Sequence, residues 1–321
     1  MNLETFIYPG EPADGVPNVT PVVQVIQDNN IRIVKPEYLR INENGRVKTM
    51  TEKAFGVNGY TAVNALQLKN LTDEQWLVVS GAYGRGVSVM LKNQKLINQA
   101  VIEIVTSVQT IGFTGVELDI EQFSLFHAGD FNTYVSFVNM IAQKLHDLNL
   151  KIAIDLPCVD PSRKDVWKNS RFVNIVDKMV YMCYDGQYDG DLAIASPSLV
   201  ANSISWMKTD LGSQFAEKAC LGVPSYAYSK FQGNITILTR QQLINILNSL
   251  NVDLIGLDDP RDSNDPLFTT LGSEKMFKAN NVTYVTTTVA SMNYIKNLFS
   301  QNGGNKLAVW HCAGSNPWFS T

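Results

Sequence analysis

The chain has no run of positive charge. Its 26 lysines and arginines are scattered among 30 aspartates and glutamates, for a net charge of −4. No stretch is set up to neutralise phosphates, so nucleic acid is not expected as a partner. Cysteine is sparse, with residues at 158, 183, 220 and 312 and no C-x-x-C spacing. Neither a metal centre nor a disulfide framework is expected, and the four thiols read as buried and free. His127, His146 and His311 show no partner pattern. There is no G-x-G-x-x-G, the phosphate loop that an open, doubly wound sheet carries after an early strand. No apolar run is long enough to cross a membrane, and membrane is not expected as a partner. The first thirty residues hold four prolines and no lysine or arginine, which is unlike a cleaved secretory leader. The expectation is a chain that stays inside the cell or leaves by a route needing no leader.

What is present is a globular composition, 45% hydrophobic and 17% charged over 321 residues, enough for one large α/β domain or two modest ones. Strand patterns fall at residues 4–8, 31–41, 76–81, 113–121, 151–156, 178–183, 219–223 and 306–311. Pro36 is read as breaking the second of these, and Asn44-Gly45 as the turn that closes it. Helical patterns fall between them at 22–28, 62–68, 93–110, 130–148 (with Asp130 as its cap), 165–176, 198–211, 239–250 and 287–299. Alternation at this spacing means βα units and a parallel sheet. About eight strands in a chain somewhat above the ~250 residues usual for a (β/α)8 barrel favour that fold over the open sheet. Residues 1–321 are read as one barrel domain, with 251–286 as an insertion, Asp- and Pro-rich at its start.

Function concentrates on residues 113–121, where Val116, Leu118 and Ile120 alternate with Glu117, Asp119 and Glu121. A period of two sends the acids to one face of a strand, with alternate residues about 6.5 Å apart. Helices on both sides imply a covered strand, and covered carboxylates are costly unless paired or doing chemistry. Crowding and desolvation raise the pKa of at least one of them, as protonating a glycosidic oxygen requires. The other reading is a hydrated rim or a structural ion-pair cluster. Other strand ends carry Met182-Cys-Tyr184-Asp185, Gly222-Val-Pro-Ser-Tyr226 and Trp310.

These motifs resemble those of the family 18 glycoside hydrolases. The family's D-G-x-D-x-D-x-E strand aligns with Thr114-Gly-Val-Glu117-Leu-Asp119-Ile-Glu121. Val79-Ser80-Gly81 with Gly84 is similar to its S-x-G-G, Met182-Cys-Tyr184-Asp185 to its M-x-Y-D, and Gly222–Tyr226 to its G-x-P-x-Y, while Trp310 falls at the family's eighth-strand tryptophan. Lys35-Pro-Glu-Tyr through Asn44-Gly45 resembles the subgroup that includes spore-germination and cortex-lytic members. The resemblance implies a (β/α)8 barrel and a retaining, substrate-assisted glycosidase needing no metal or organic cofactor. It implies Glu121 as general acid and base, Asp119 as the partner of the substrate's acetamido group, and Tyr184 as hydrogen-bond donor to the acetyl oxygen. Trp310 would floor the sugar site, with Met182 and Asp185 lining it; Tyr226 and Tyr8 would be packing or rim residues. Two positions depart from the family pattern. Thr114 would replace a structural hydrogen bond, and Glu117 would tune Asp119 from one methylene further out. The implied substrate is chitin or chito-oligosaccharide. Peptidoglycan or spore-cortex glycan is the second reading, and a non-catalytic chitinase-like lectin the third. Oligomeric state is not read from the sequence.

Overall fold

The computed structural model describes residues 1–7, 20–49, 62–81, 86–121, 128–158, 167–188, 190–251, 269–271 and 274–312. Eight parallel strands form the barrel: β1 Asn2–Ile7, β2 Ile33–Ile41, β3 Glu74–Gly81, β4 Gly115–Asp119, β5 Lys151–Pro157, β6 Lys178–Met182, β7 Ala219–Pro224 and β8 Lys306–Trp310. Each pairs with its successor, and β8 pairs with β1 to close the ring. Closure leaves no barrel edge and lets each strand alternate between an inner face and one covered by helices.

The outer face builds the main core. Val116, Leu118 and Ile120 of the acidic stretch join it, together with Ile152, Ile154, Leu156 and the apolar faces of the surrounding helices. Helix Gln94–Ile111 shows why the chain folds this way locally. Asn93 caps it by accepting from the Lys95 and Leu96 N–H groups, and Gly112 ends it at φ 73°, a left-handed conformation natural to glycine. Helix Ala128–His146 starts two residues before the expected cap. Asp130 instead lies in its first turn, where a carboxylate still complements the helix dipole.

Two expectations about the elements are corrected. Pro36 does not break β2, whose strand runs through it and pairs it with Ile7. Proline's φ suits a strand, and the ladder disturbance is absorbed by a register shift against β3 between Glu37 and Leu39. The thiols are not all free. Cys158 and Cys183 are joined in a disulfide with Cα atoms 5.5 Å apart. They follow directly on Pro157 and Met182, which are paired across β5 and β6, so the sheet register brings them together. Cys220 and Cys312 are free and buried.

Between β7 and β8 lies a second, antiparallel sheet of strands Ala227–Phe231, Asn234–Leu238, Thr269–Leu271, Glu274–Ala279 and Val282–Thr286. Helix Arg240–Ser249 packs its Leu243 and Leu247 on Ala227 and Phe277 of that sheet, so it is not one of the barrel's outer helices. The stretch expected as an insertion, 251–286, falls within this region, and its residues 252–268 lie outside the described ones. Among the described residues no helix is long and apolar enough to cross a membrane.

Candidate active site

The inner face of the barrel begins with an ionic layer. Lys35 of β2 reaches Glu117 of β4 and Glu4 of β1, both at 2.8 Å, and Lys178 of β6 reaches Glu4 at 2.6 Å. Lys35, Glu4 and Glu117 are inaccessible to solvent. Two cations therefore balance two anions in a space where any one alone would be prohibitively desolvated. Burial alone would raise the Glu4 pKa, but Lys178 and Lys35 outweigh it and hold it at about 2. Burial alone would lower that of Lys35, yet the Glu117 and Glu4 carboxylates push it well above the usual range. The lysines also lie over aromatic faces, Lys35 at 4.7 Å from the Phe6 ring centre and Lys178 at 4.3 Å from that of Trp76.

Above this layer the acids stay unbalanced. Asp155 of β5 is hydrogen-bonded to Glu117, and burial, followed by the Glu117 charge, drives its pKa well up. Asp119 is hydrogen-bonded to Glu121, and burial, then the Glu121 and Glu37 charges, raise it strongly. Glu121, at the mouth of the barrel, is raised by desolvation and by Asp185, against the lowering effect of its Asp119 bond. The pair Asp119 and Glu121 is thus disposed to retain a proton above the ordinary carboxylate range, as two adjacent carboxyls cannot both ionise cheaply.

Opposite the acids stands an aromatic wall. Tyr184, just after β6, stacks on Trp310 at the end of β8 with ring centres 6.1 Å apart and planes at 22°. Tyr226 meets Trp310 edge-on at 5.5 Å and Tyr184 edge-on at 6.4 Å. The Tyr226 hydroxyl donates to Asp185, and Gln187 donates to both, at 3.1 Å each. The Trp310 backbone is fixed by the Ser225 N–H at 2.8 Å, and the next carbonyl, of His311, accepts from the Ser225 hydroxyl at 2.6 Å. Met182 ends β6, half-buried beside these groups. Glu121, Asp119, Glu117, Tyr184, Asp185, Tyr226, Trp310 and Met182 thus converge at the C-terminal end of one barrel. Tyr8, Gly84 and His127 lie outside the described residues. Glu117 sits lowest of the three acids, held by Lys35. Thr114 accepts the Gln75 N–H on its hydroxyl at 3.2 Å, at the foot of β3. His146 meets Asp177 at 3.0 Å on the surface, and His311 is buried, which lowers its pKa to about 4.

Glu37 of β2 lies in the Lys35-Pro-Glu-Tyr stretch, which gave it no role; it is buried at 3% exposure and hydrogen-bonded to Trp310. Burial, then the Glu121 charge, raises its pKa to about 8 despite Arg40 nearby. Lys35, quoted in the same stretch, was given no role either, and Glu4, Lys178 and Asp155 were missed. Each is a charged residue in phase with the inward face of its strand, and that phase was the available signal.

Comparison with known proteins places this geometry. The profile of Glycosyl hydrolases family 18 matches residues 15–307. No curated protein matches the chain in sequence. A Chromobacterium violaceum chitinase superposes with a TM-score of 0.75 at 15% identity, over 99% of this chain and 96% of that one. The Bacillus cereus spore cortex-lytic enzyme SleL does so at 0.74 and 17%, over 99% and 72%. A class V chitinase from Nicotiana tobaccum, a mutant of which has been solved in complex with NAG4, reaches 0.74 at 11%, over 99% and 96%. At these identities the neighbours establish the fold, and the family match establishes the class, a glycosyl hydrolase with a glycan substrate. The chain belongs to the glycosyl hydrolases of family 18.

Proposed function

We propose that this chain hydrolyses β-1,4-linked N-acetylglucosamine glycans with retention of configuration, using the substrate's acetamido group as nucleophile. The observation that carries this is the Asp119–Glu121 pair, both raised in pKa and hydrogen-bonded to each other, at a barrel mouth walled by Tyr184 and Trp310. Glu121 gives its proton to the glycosidic oxygen as the C1–O bond breaks. The acetamido carbonyl oxygen attacks C1, and the resulting oxazolinium cation is stabilised by Asp119. Tyr184 donates a hydrogen bond to the acetyl oxygen and holds it for attack. Water, deprotonated by Glu121, then attacks C1, opens the ring and restores the starting configuration. Trp310 supplies an apolar floor for the sugar face, while Met182, Asp185 and Tyr226 line or rim the site. Glu117 acts from below on Asp119 and Asp155.

Purified protein should release product from a chromogenic chito-oligosaccharide. Glu121→Gln should lower kcat by about 100-fold or more while binding survives, because it removes the proton and keeps the shape. If wild type and Glu121→Gln are equally inert and both bind chitotriose, the chain is a chitinase-like lectin and the hydrolytic reading fails.

A further inference from the structure

The bulge in β2 sets which of its side chains enter the barrel. Glu37 pairs with Val78, and the register then slips, so that Tyr38 and Leu39 both pack in the outer core. Glu37 itself faces inward. Val78, its neighbour across the ladder, belongs to the inner apolar cluster against which Trp310 packs, and paired residues of parallel strands point to the same side of a sheet. The Glu37 carboxyl accepts a hydrogen bond from the Trp310 side chain, whose one polar group is the indole N–H. The lysines of the barrel interior serve other acids, since Lys35 and Lys178 bind Glu4 and Glu117 below.

A buried carboxyl is costly at that point. Desolvation and the Glu121 and Glu117 charges act against its ionised form, and Arg40 on the same strand offsets only part of this. An apolar side chain would pack there at less cost, so the placement calls for something that the carboxyl holds. The other contacts of the indole leave it one freedom. Tyr184 stacks on its face, Tyr226 meets it edge-on, and the Ser225 N–H fixes its backbone carbonyl. These resist displacement of the ring, yet a flat ring can still turn over about its Cβ–Cγ bond. A hydrogen bond at the N–H removes that freedom, because it selects the edge of the ring that faces β2. The plane of the indole sets the plane of a sugar laid on it, and with it the line from the acetamido oxygen to C1.

We infer that Glu37 is a positioning residue for the reaction: it orients the indole of Trp310 through the N–H, and Trp310 in turn orients the sugar beside the Asp119–Glu121 pair. This rests on the glycan-hydrolase reading above and deepens it by one residue, which acts through the floor of the site and touches neither the substrate nor the proton that is transferred.

The test is a cycle of variants assayed on a chromogenic chito-oligosaccharide, with the indole N–H resonances followed by heteronuclear NMR. Trp310→Phe identifies the Trp310 signal among those of the five tryptophans. Glu37→Leu removes the acceptor, while Glu37→Gln keeps one in the same space. Glu37→Leu should shift the Trp310 N–H signal and lower kcat by about tenfold or more, and Glu37→Gln should return both close to wild type. In a Trp310→Phe background, which has no indole N–H, Glu37→Leu should cost less than about twofold. Melting curves verify folding, and Glu37→Ala takes the place of the leucine variant if that one does not fold. If Glu37→Leu leaves either the Trp310 signal or kcat as in wild type, or lowers kcat by the same factor in both backgrounds, the inference is overturned. It is equally overturned if Glu37→Gln is as slow as Glu37→Leu, since the acceptor is then not what counts. Should wild type cleave nothing, the hydrolytic reading fails, and calorimetry with chitotriose on the same variants decides the positioning role. A loss of affinity in Glu37→Leu that disappears in the Trp310→Phe background upholds it, and unchanged, absent or background-independent binding overturns it.

Discussion

At the residue scale, the departure at Glu117 has a structural counterpart in Lys35. A fully buried glutamate one methylene longer than aspartate reaches a lysine at 2.8 Å, and that lysine reaches Glu4 at the same distance. Removing one member of such a network leaves an uncompensated buried charge, which costs far more than the intact pair contributes. Lys35→Met should therefore destabilise the fold by about 3 kcal/mol or more. The double variant Lys35→Met/Glu117→Gln, which leaves Glu4 paired with Lys178, should recover a large part of that loss. Urea unfolding of the two single variants and the double measures the coupling, and additive losses would contradict the network. Glu117, Asp119 and Glu121 were legible in the sequence because they alternate within one strand. Lys35 and Glu4 were not, because they lie on different strands, and only barrel closure, which pairs β1 with both β2 and β8, brings them together.

At the element scale, periodicity located all eight barrel strands to within two or three residues, since parallel strands covered on both sides read as short apolar runs between helices. It failed where tertiary context decides. Pro36 reads as a break, yet the strand continues through it. Helix Arg240–Ser249 has an apolar face that serves a second sheet as well as it would serve a barrel. Cys158 and Cys183, 25 residues apart, meet through strand register alone. The same holds for Glu274 in strand Glu274–Ala279, whose carboxylate accepts the N–H groups of Ile194 and Ala195, both at 2.7 Å and all buried. This joins the second sheet to the segment after β6 that also carries Tyr184 and Asp185. Glu274→Ala strands two buried donors and should cost about 2 kcal/mol or more. Hydrogen exchange should show the Ile194 and Ala195 amides losing protection while those of β4 and β5 keep theirs. Unchanged protection at 194 and 195 would remove Glu274 as the tie.

At the scale of the whole molecule, the buried titrating groups oppose one another in a way that sets where the protein is most stable. His311, lowered to about 4 by burial, is neutral in the fold, so the unfolded chain takes up its proton more readily below pH 6.5. Its contribution therefore makes stability fall as pH drops from about 6.5 towards 4. Glu37, raised to about 8, and Glu274, raised to about 7, are disposed the other way. In the fold they keep protons that the unfolded chain releases near pH 4.5, so each makes stability fall as pH rises through that interval. Asp119, Asp155 and Glu121, also raised, act in the same direction. Below pH 6.5 the histidine and the acids partly cancel. Above it the acids act almost alone, and Glu37 with Glu274 should remove about 2 kcal/mol between pH 6.5 and 8. Denaturant unfolding at those two pH values measures the loss directly, and Glu37→Gln should abolish most of it while leaving the acid limb set by His311 in place. A wild-type stability that rises from pH 6.5 to 8 would falsify the inward, proton-holding placement of Glu37. A fall that survives in Glu37→Gln would assign it instead to Glu274 and the Asp119–Glu121 pair.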